Sequence, residues 1–231
     1  MNLKRYLFIW FFFLTTCLSA QKIIPQFKLG IDAGPGLTHL RGNEYLNAYY
    51  HSTFGYASGL SVQVRVPKSI VSFKGNVLVE HKGAESEDLY SFDELGNITN
   101  SSRNKIHLTY IVFPAMVRVN TNKPLSFFIN AGAYAALLLK EEDVLGAIDT
   151  VPQITVDNTD GDNKTDGGFC AGMGFTFPVQ EKFTASFEVR DNIGVYDINN
   201  TPRTKGGIVQ TNSINFLAGI SVLIQRNYRR H

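Results

Sequence analysis

Along much of the chain apolar and polar side chains alternate at every second position. In 58–66, Leu60, Val62, Val64 and Val66 alternate with Ser61, Gln63 and Arg65. In 70–82, Val71, Phe73, Val77 and Val79 oppose Ser72, Lys74, Asn76 and Glu80. The same holds in 182–191, where Phe183, Ala185, Phe187 and Val189 oppose Thr184, Ser186, Glu188 and Arg190. In 213–225, Ile214, Phe216, Ala218, Ile220, Val222 and Ile224 oppose Ser213, Asn215, Gly219 and Ser221. A period of two marks a strand with two unlike faces. Four more stretches, 27–38, 105–119, 125–139 and 168–179, are more apolar on both faces. They are rich in β-branched and aromatic residues, with glycine at alternate places such as Gly172 and Gly174. The pattern predicts eight strands.

The connections predict how those strands are arranged. Three are tight turns: Pro67-Lys68-Ser69, Asn120-Thr121-Asn122-Lys123-Pro124 and Pro178-Val179-Gln180-Glu181-Lys182. Between them lie long polar segments, 39–54, 83–104, 140–167 and 197–211. Strict alternation of short and long connections is the plan of a membrane-crossing barrel, with short periplasmic turns and long extracellular loops. In hydrocarbon every backbone N–H and C=O must be paired within the protein, and a closed barrel leaves no open edge. Each stretch is also long enough for a tilted crossing, which takes about 9–11 residues. The expected fold is therefore all-β, an eight-stranded antiparallel transmembrane β-barrel. An even strand count puts both termini on the periplasmic side. Tyr49, Tyr50, Phe54, Tyr56, Tyr90, Phe92, Tyr110, Tyr196 and Tyr228 fall near predicted strand ends or in loops, where rings with a polar edge favour the headgroup region.

The first twenty residues stand apart. Lys4 and Arg5 precede the run Tyr6–Leu14, and Thr15-Thr16-Cys17-Leu18-Ser19-Ala20 follow. A basic start, a short apolar centre and a small-residue exit are the layout of a secretory signal peptide. We expect residues 1–20 to be cleaved after Ala20, leaving 21–231 as one barrel domain; acylation of Cys17 as a lipoprotein is the lesser reading. Loss of the signal changes the charge. The whole chain carries 22 basic and 20 acidic residues, and the signal takes two bases and no acid. The balanced remainder offers no net attraction to nucleic acid. Only Cys170 is then left, so no intramolecular disulfide is available.

Candidate chemistry is sparse. In a narrow barrel, Arg65, Lys74, Glu80, Glu188 and Arg190 face inward together, and buried charges must be paired. A structural salt-bridge network is the preferred reading over an ion pathway, and over a glycosidase-like carboxylate pair made by Glu80 and Glu188. His39, His51, His81, His107 and His231 show no metal-site spacing. No nucleophile elbow, phosphate loop or dinucleotide fingerprint is present in the sequence. No catalytic residue, metal ligand or cofactor is assigned. The run Asp157-Asn158-Thr159-Asp160-Gly161-Asp162-Asn163 superficially resembles a calcium loop, but its register fails, since Val156 falls at the first ligand position. Segments 83–104 and 140–167 nevertheless hold thirteen of the twenty acids. They are candidates for weak divalent-cation binding or for meeting lipopolysaccharide phosphates through such cations.

Four strand segments carry a likeness: Phe27-Lys28-Leu29-Gly30-Ile31-Asp32-Ala33-Gly34, Leu108-Thr109-Tyr110-Ile111-Val112-Phe113-Pro114, Phe127-Phe128-Ile129-Asn130-Ala131-Gly132 and Phe216-Leu217-Ala218-Gly219-Ile220. In them the chain resembles the PorT-like porin group of outer-membrane β-barrel proteins common in Bacteroidetes. The resemblance implies an outer-membrane location, lipid and lipopolysaccharide surroundings, handling by the barrel-assembly machinery, and no catalytic residues. One departure stands out: Tyr228 is followed by Arg229-Arg230-His231, where many barrels end on an aromatic residue. The expected role is non-enzymatic, with structural, surface-interaction or assembly work done by the loops. The alternatives are a narrow channel for small solutes or ions, and a soluble exported binder of apolar ligands in the style of a lipocalin.

Overall fold

The computed structural model describes residues 25–42, 44–67, 69–86, 89–92, 95–121, 123–147, 152–161, 163–199 and 207–224. The expected signal peptide and the basic tail from Arg226 lie outside the described residues. The elements are β1 (Gln26–Arg41), α1 (Glu44–Tyr49), β2 (Tyr50–Arg65), β3 (Val71–Ser86), β4 (Leu89–Phe92), β5 (Ile98–Ser102), β6 (Lys105–Asn120), β7 (Ser126–Leu145), β8 (Ile154–Asp157), β9 (Thr165–Pro178), β10 (Phe183–Gly194) and β11 (Gln210–Ile224). Eight of these, β1, β2, β3, β6, β7, β9, β10 and β11, form one antiparallel meander. Each pairs with its neighbours along the chain, and β1 pairs with β11 to close the barrel.

Several strands run farther than the hydropathy pattern indicates. β2 begins at Tyr50 rather than near 58, β3 continues to Ser86 and β7 to Leu145. Parts of the expected loops are therefore sheet. The physical reason is that backbone pairing continues beyond the apolar band, where the outer face meets water and polar residues suit both sides. The long connections also carry structure of their own. Helix α1 lies between β1 and β2, the β4–β5 hairpin stands between β3 and β6, and β8 pairs with the end of β7. Gly96, at φ 83°, turns the β4–β5 hairpin in a conformation that other residues rarely adopt.

The outer face explains the alternation. On β6 the outward residues Val119, Val117, Ala115, Phe113 and Ile111 give way to Thr109, His107 and Lys105. On β3, Phe73, Val77 and Val79 give way to His81 and Glu85. Nine residues of β6, at about 3.3 Å each and a tilt of about 40°, make an apolar belt roughly 23 Å tall, the height of a bilayer crossing. Large side chains on this belt are left open, Leu60 and Met173 both 65% exposed. Among the described residues no helix or second sheet covers them. At the upper edge His81 stacks on Tyr56 with ring centres 4.1 Å apart, and its Nδ1 lies 3.1 Å from Thr109 Oγ1. An aromatic–polar pair of this kind suits the headgroup boundary.

The core lies inside the barrel. Toward the long-loop end Leu40, Leu108, Tyr110, Val112, Tyr134, Ala136, Leu138 and Cys170 pack together, and Ile198 and Val209 join them from the β10–β11 connection. That connection is tied down by Ile198 N–H donating to the Val209 carbonyl (2.9 Å) and Asn163 N–H donating to the Ile198 carbonyl (2.8 Å). Ile198 and Val209 are thereby packed against the residues that fill the lumen at this end.

Candidate functional site: the filled lumen

Inward positions of the eight strands stack as layers of polar side chains. The lower layer centres on Glu188 of β10. Its Oε2 meets Lys74 Nζ at 3.0 Å and an Arg118 guanidinium nitrogen at 2.7 Å; its Oε1 meets Arg190 at 2.6 Å and accepts from Asn130 Nδ2 at 3.1 Å. Lys74 also pairs with Asp32 Oδ2 at 2.7 Å, and Asn76 Nδ2 donates to the same oxygen at 2.8 Å. Three cations thus face two carboxylates. The Arg118 guanidinium lies over the Phe128 ring, 3.6 Å from its centre, which adds a cation–π contact. Gly219 makes room for this layer: a Cβ there would collide with the Asp32 carboxylate.

Above it, Glu80 is completely buried and held by neutral donors. Its Oε1 accepts from Ser213 Oγ and Asn215 Nδ2, each at 2.6 Å, and Asn192 Nδ2 lies 3.3 Å from both carboxylate oxygens. A third cluster surrounds Asp166. Its Oδ2 accepts from Thr211 Oγ1 at 2.6 Å and from Tyr134 OH and Lys82 Nζ at 3.3 Å. Lys82 also lies over the Tyr134 ring, 4.8 Å from its centre.

Of the five charges singled out from sequence, the structure brings Lys74, Glu188 and Arg190 together. Glu80 sits in its own cluster, and Arg65 lies at the short-turn end, where its Nε donates to the Ser69 carbonyl at 3.0 Å. Sequence reasoning missed Asp32, Arg118, Lys82 and Asp166. The first three carry the same signal as those found, a charge at the inward parity of a strand. Asp166 had been read as part of an acidic loop, but strand β9 begins at Thr165 and turns it inward. Cys170 is a free thiol, buried in the lumen. The described residues hold no cluster of His, Cys, Asp and Glu fit for a metal ion.

The arrangement is a tube filled with ion-paired and hydrogen-bonded side chains, with an apolar outer belt. A family model described as an outer membrane protein beta-barrel domain matches residues 19–200. The chain belongs to that family. This outer-membrane barrel has short turns in the periplasm and long loops outside the cell, and the soluble lipocalin-like alternative falls away. Solved barrels align along most of its length. Neisserial surface protein A is 14% identical, covering 85% of this chain and 96% of its own, with a TM-score of 0.43. OprG from Pseudomonas aeruginosa is 10% identical over 86% and 96%, with a TM-score of 0.42. The outer membrane protease OmpT from Escherichia coli is 9% identical over 86% and 97%, with a TM-score of 0.43. At such identities and scores the likeness carries no argument about activity. No curated protein matches the chain in sequence.

Proposed function

We propose that this outer-membrane barrel is non-enzymatic and acts through its extracellular loops, as a surface-interaction or assembly element carried on a rigid, closed tube. The observation that carries the reading is the lumen. It is crossed by ion-paired side chains, with Ile198 and Val209 packed among the residues at its outer end, which leaves the outer loops as the working surface. Eight strands enclose a space that side chains fill, so free solute flow is disfavoured. Among the described residues the β4–β5 hairpin pairs with no other strand, and it presents Tyr90, Phe92, Leu95 and Ile98 to solvent, Leu95 at 87% exposure. Singly exposed apolar residues are ordinary, whereas four together on one projecting hairpin fit a contact surface.

The deciding experiment joins planar-bilayer recording to surface proteolysis. We expect no steady single-channel steps, and cleavage within 83–104 and 140–167 on intact cells. Steady conductance would overturn the closed-tube reading in favour of the narrow channel, and protected loops would overturn the surface role.

The finer assignments belong to the same proposal. Cleavage after Ala20 predicts Gln21 as the first residue found by N-terminal sequencing. Kinship with the PorT-like group is supported by the four strand segments quoted above. Lipopolysaccharide and the barrel-assembly machinery are the proposed partners. The exposed acids Asp157 and Asp160 and the half-buried Glu142 at the outer rim suit contact with lipopolysaccharide phosphates through divalent cations. Calorimetry showing no calcium heat with the folded protein would remove that last element.

A further inference from the structure

A cavity of about 210 Å³ opens at the short-turn end, directly beneath the lower charge layer. Its lining comes from six of the eight barrel strands and one turn, and it includes Lys28, Gln63, Arg65, Lys123, Thr176 and Thr184. No carboxylate lines it. Lys28 on β1 uses one of its three ammonium donors on Thr184 Oγ1, at 2.9 Å, and forms no ion pair among the described residues. Arg65, on the neighbouring strand β2, lines the same cavity as Lys28. The layer above adds to the positive field, since Lys74, Arg118 and Arg190 outnumber Asp32 and Glu188. Arg118 Nε in that layer is buried without a hydrogen-bond partner. The charge is thus distributed along the barrel axis. The mouth is cationic, while Glu80 and Asp166 outnumber Lys82 higher up.

We propose that this periplasmic mouth is a binding site for a small multi-oxygen anion of the phosphate class. Three cations on different elements face one space, and a ligand with several charged oxygens relieves their mutual repulsion from all sides. The surrounding amides and hydroxyls supply further polar contacts, as is usual where phosphate is held. The volume is below the roughly 300–1,000 Å³ of pockets that enclose drug-sized molecules. Because ion-paired side chains fill the lumen above it, the site is a pocket filled from the periplasm. Free phosphate and the phosphate of an inner-leaflet lipid headgroup share this chemistry.

The test is calorimetric titration of the folded exported chain in a maltoside detergent with inorganic phosphate and pyrophosphate, at low and high salt. Saturable 1:1 binding is expected, tighter for pyrophosphate and weakened by salt, since exposed charges are screened. It should weaken at least tenfold in Lys28→Gln/Arg65→Gln and a few-fold in Lys123→Gln, which alters only an exposed turn residue and leaves the barrel intact. Heat-modifiable gel migration confirms that each variant is folded. No saturable heat, or affinity unchanged in both variants, would overturn the site. Repeating the titration in phospholipid nanodiscs separates the sources. A tenfold loss there supports the site with lipid headgroups as occupants, and unchanged affinity supports it with free phosphate.

Discussion

Glu188→Gln is the sharpest perturbation of the lumen. It removes one negative charge and little else, leaving Lys74, Arg118 and Arg190 with Asp32 as the remaining carboxylate of their layer. Each lost contact is near 3 Å, and a unit-charge pair at that distance is worth about 5 kcal/mol at an effective dielectric of ~20, before desolvation. Desolvation cancels much of this in the native protein. In the variant the burial penalty of the three cations persists with less to offset it. Breaking a buried pair from one side costs about 3–5 kcal/mol. Glu80→Gln is the internal control. Glu80 is equally buried, but its partners are neutral donors, so the variant loses hydrogen bonds rather than ion pairs, at about 1–3 kcal/mol. The assay is urea unfolding in lipid vesicles, read as the heat-modifiable fraction on a gel. The gel readout is preferred to tryptophan fluorescence because the one Trp, Trp10, lies in the proposed signal peptide, outside the barrel strands. Adding Lys74→Met to Glu188→Gln should restore part of the loss, a coupling that a double-mutant cycle isolates. If Glu188→Gln costs no more than Glu80→Gln, and Lys74→Met brings no recovery, the charge-layer reasoning is wrong.

Three further outcomes follow from the geometry. Gly219→Val places carbon where the Asp32 carboxylate sits and should destabilise the barrel by about 1–3 kcal/mol in the same unfolding assay. Ile220→Arg on the outer belt should cost about 2–4 kcal/mol in vesicles, whereas His81→Arg at the belt's edge should cost about 0–1 kcal/mol, a depth dependence that a soluble barrel would lack. In the β7–β8 rim, carboxyl NMR should find Asp157 titrating below the ordinary carboxylate range, because the Thr159 hydroxyl and amide donate to it. Asp143 should titrate above that range, because it is half-buried. The contribution of Asp157 to rim stability is then present at neutral pH and fades as pH falls through its lowered value, while the burial penalty on charged Asp143 is relieved by protonation.

Parity along a strand is local, and it was legible. The outward column Phe73, Val77, Val79 and the inward column Ser72, Lys74, Asn76, Glu80 can be separated from the sequence alone, because each residue needs only its own neighbours to declare its face. Strand ends were less legible. Above the belt the contrast between faces vanishes, so 50–54 reads as loop although Tyr50, His51 and Ser52 pair with β3 and Thr53 and Phe54 with β1. Arg118 is less legible because it stands alone in an otherwise apolar run, Met116-Val117-Arg118-Val119, whose mean hydropathy masks its parity. Applied strictly, the rule that a charge at inward parity enters the lumen finds Asp32, Lys82 and Arg118 as well.

What no one-dimensional rule supplies is the partner. Glu188 and Lys74 are 114 positions apart, on strands that are not neighbours, and they meet across the lumen. Their meeting depends on the stagger accumulated over every strand pair between them, and a one-residue slip in any pair would turn that strand's charges toward lipid. The buried charges therefore act on register in two ways. They penalise every slipped barrel by exposing ions to hydrocarbon, and they reward only the closure that brings three cations around one carboxylate. A barrel whose belt is nearly uniform in Val, Ile, Leu and Phe has little else to tell one register from another, so the selective burden falls on the lumen.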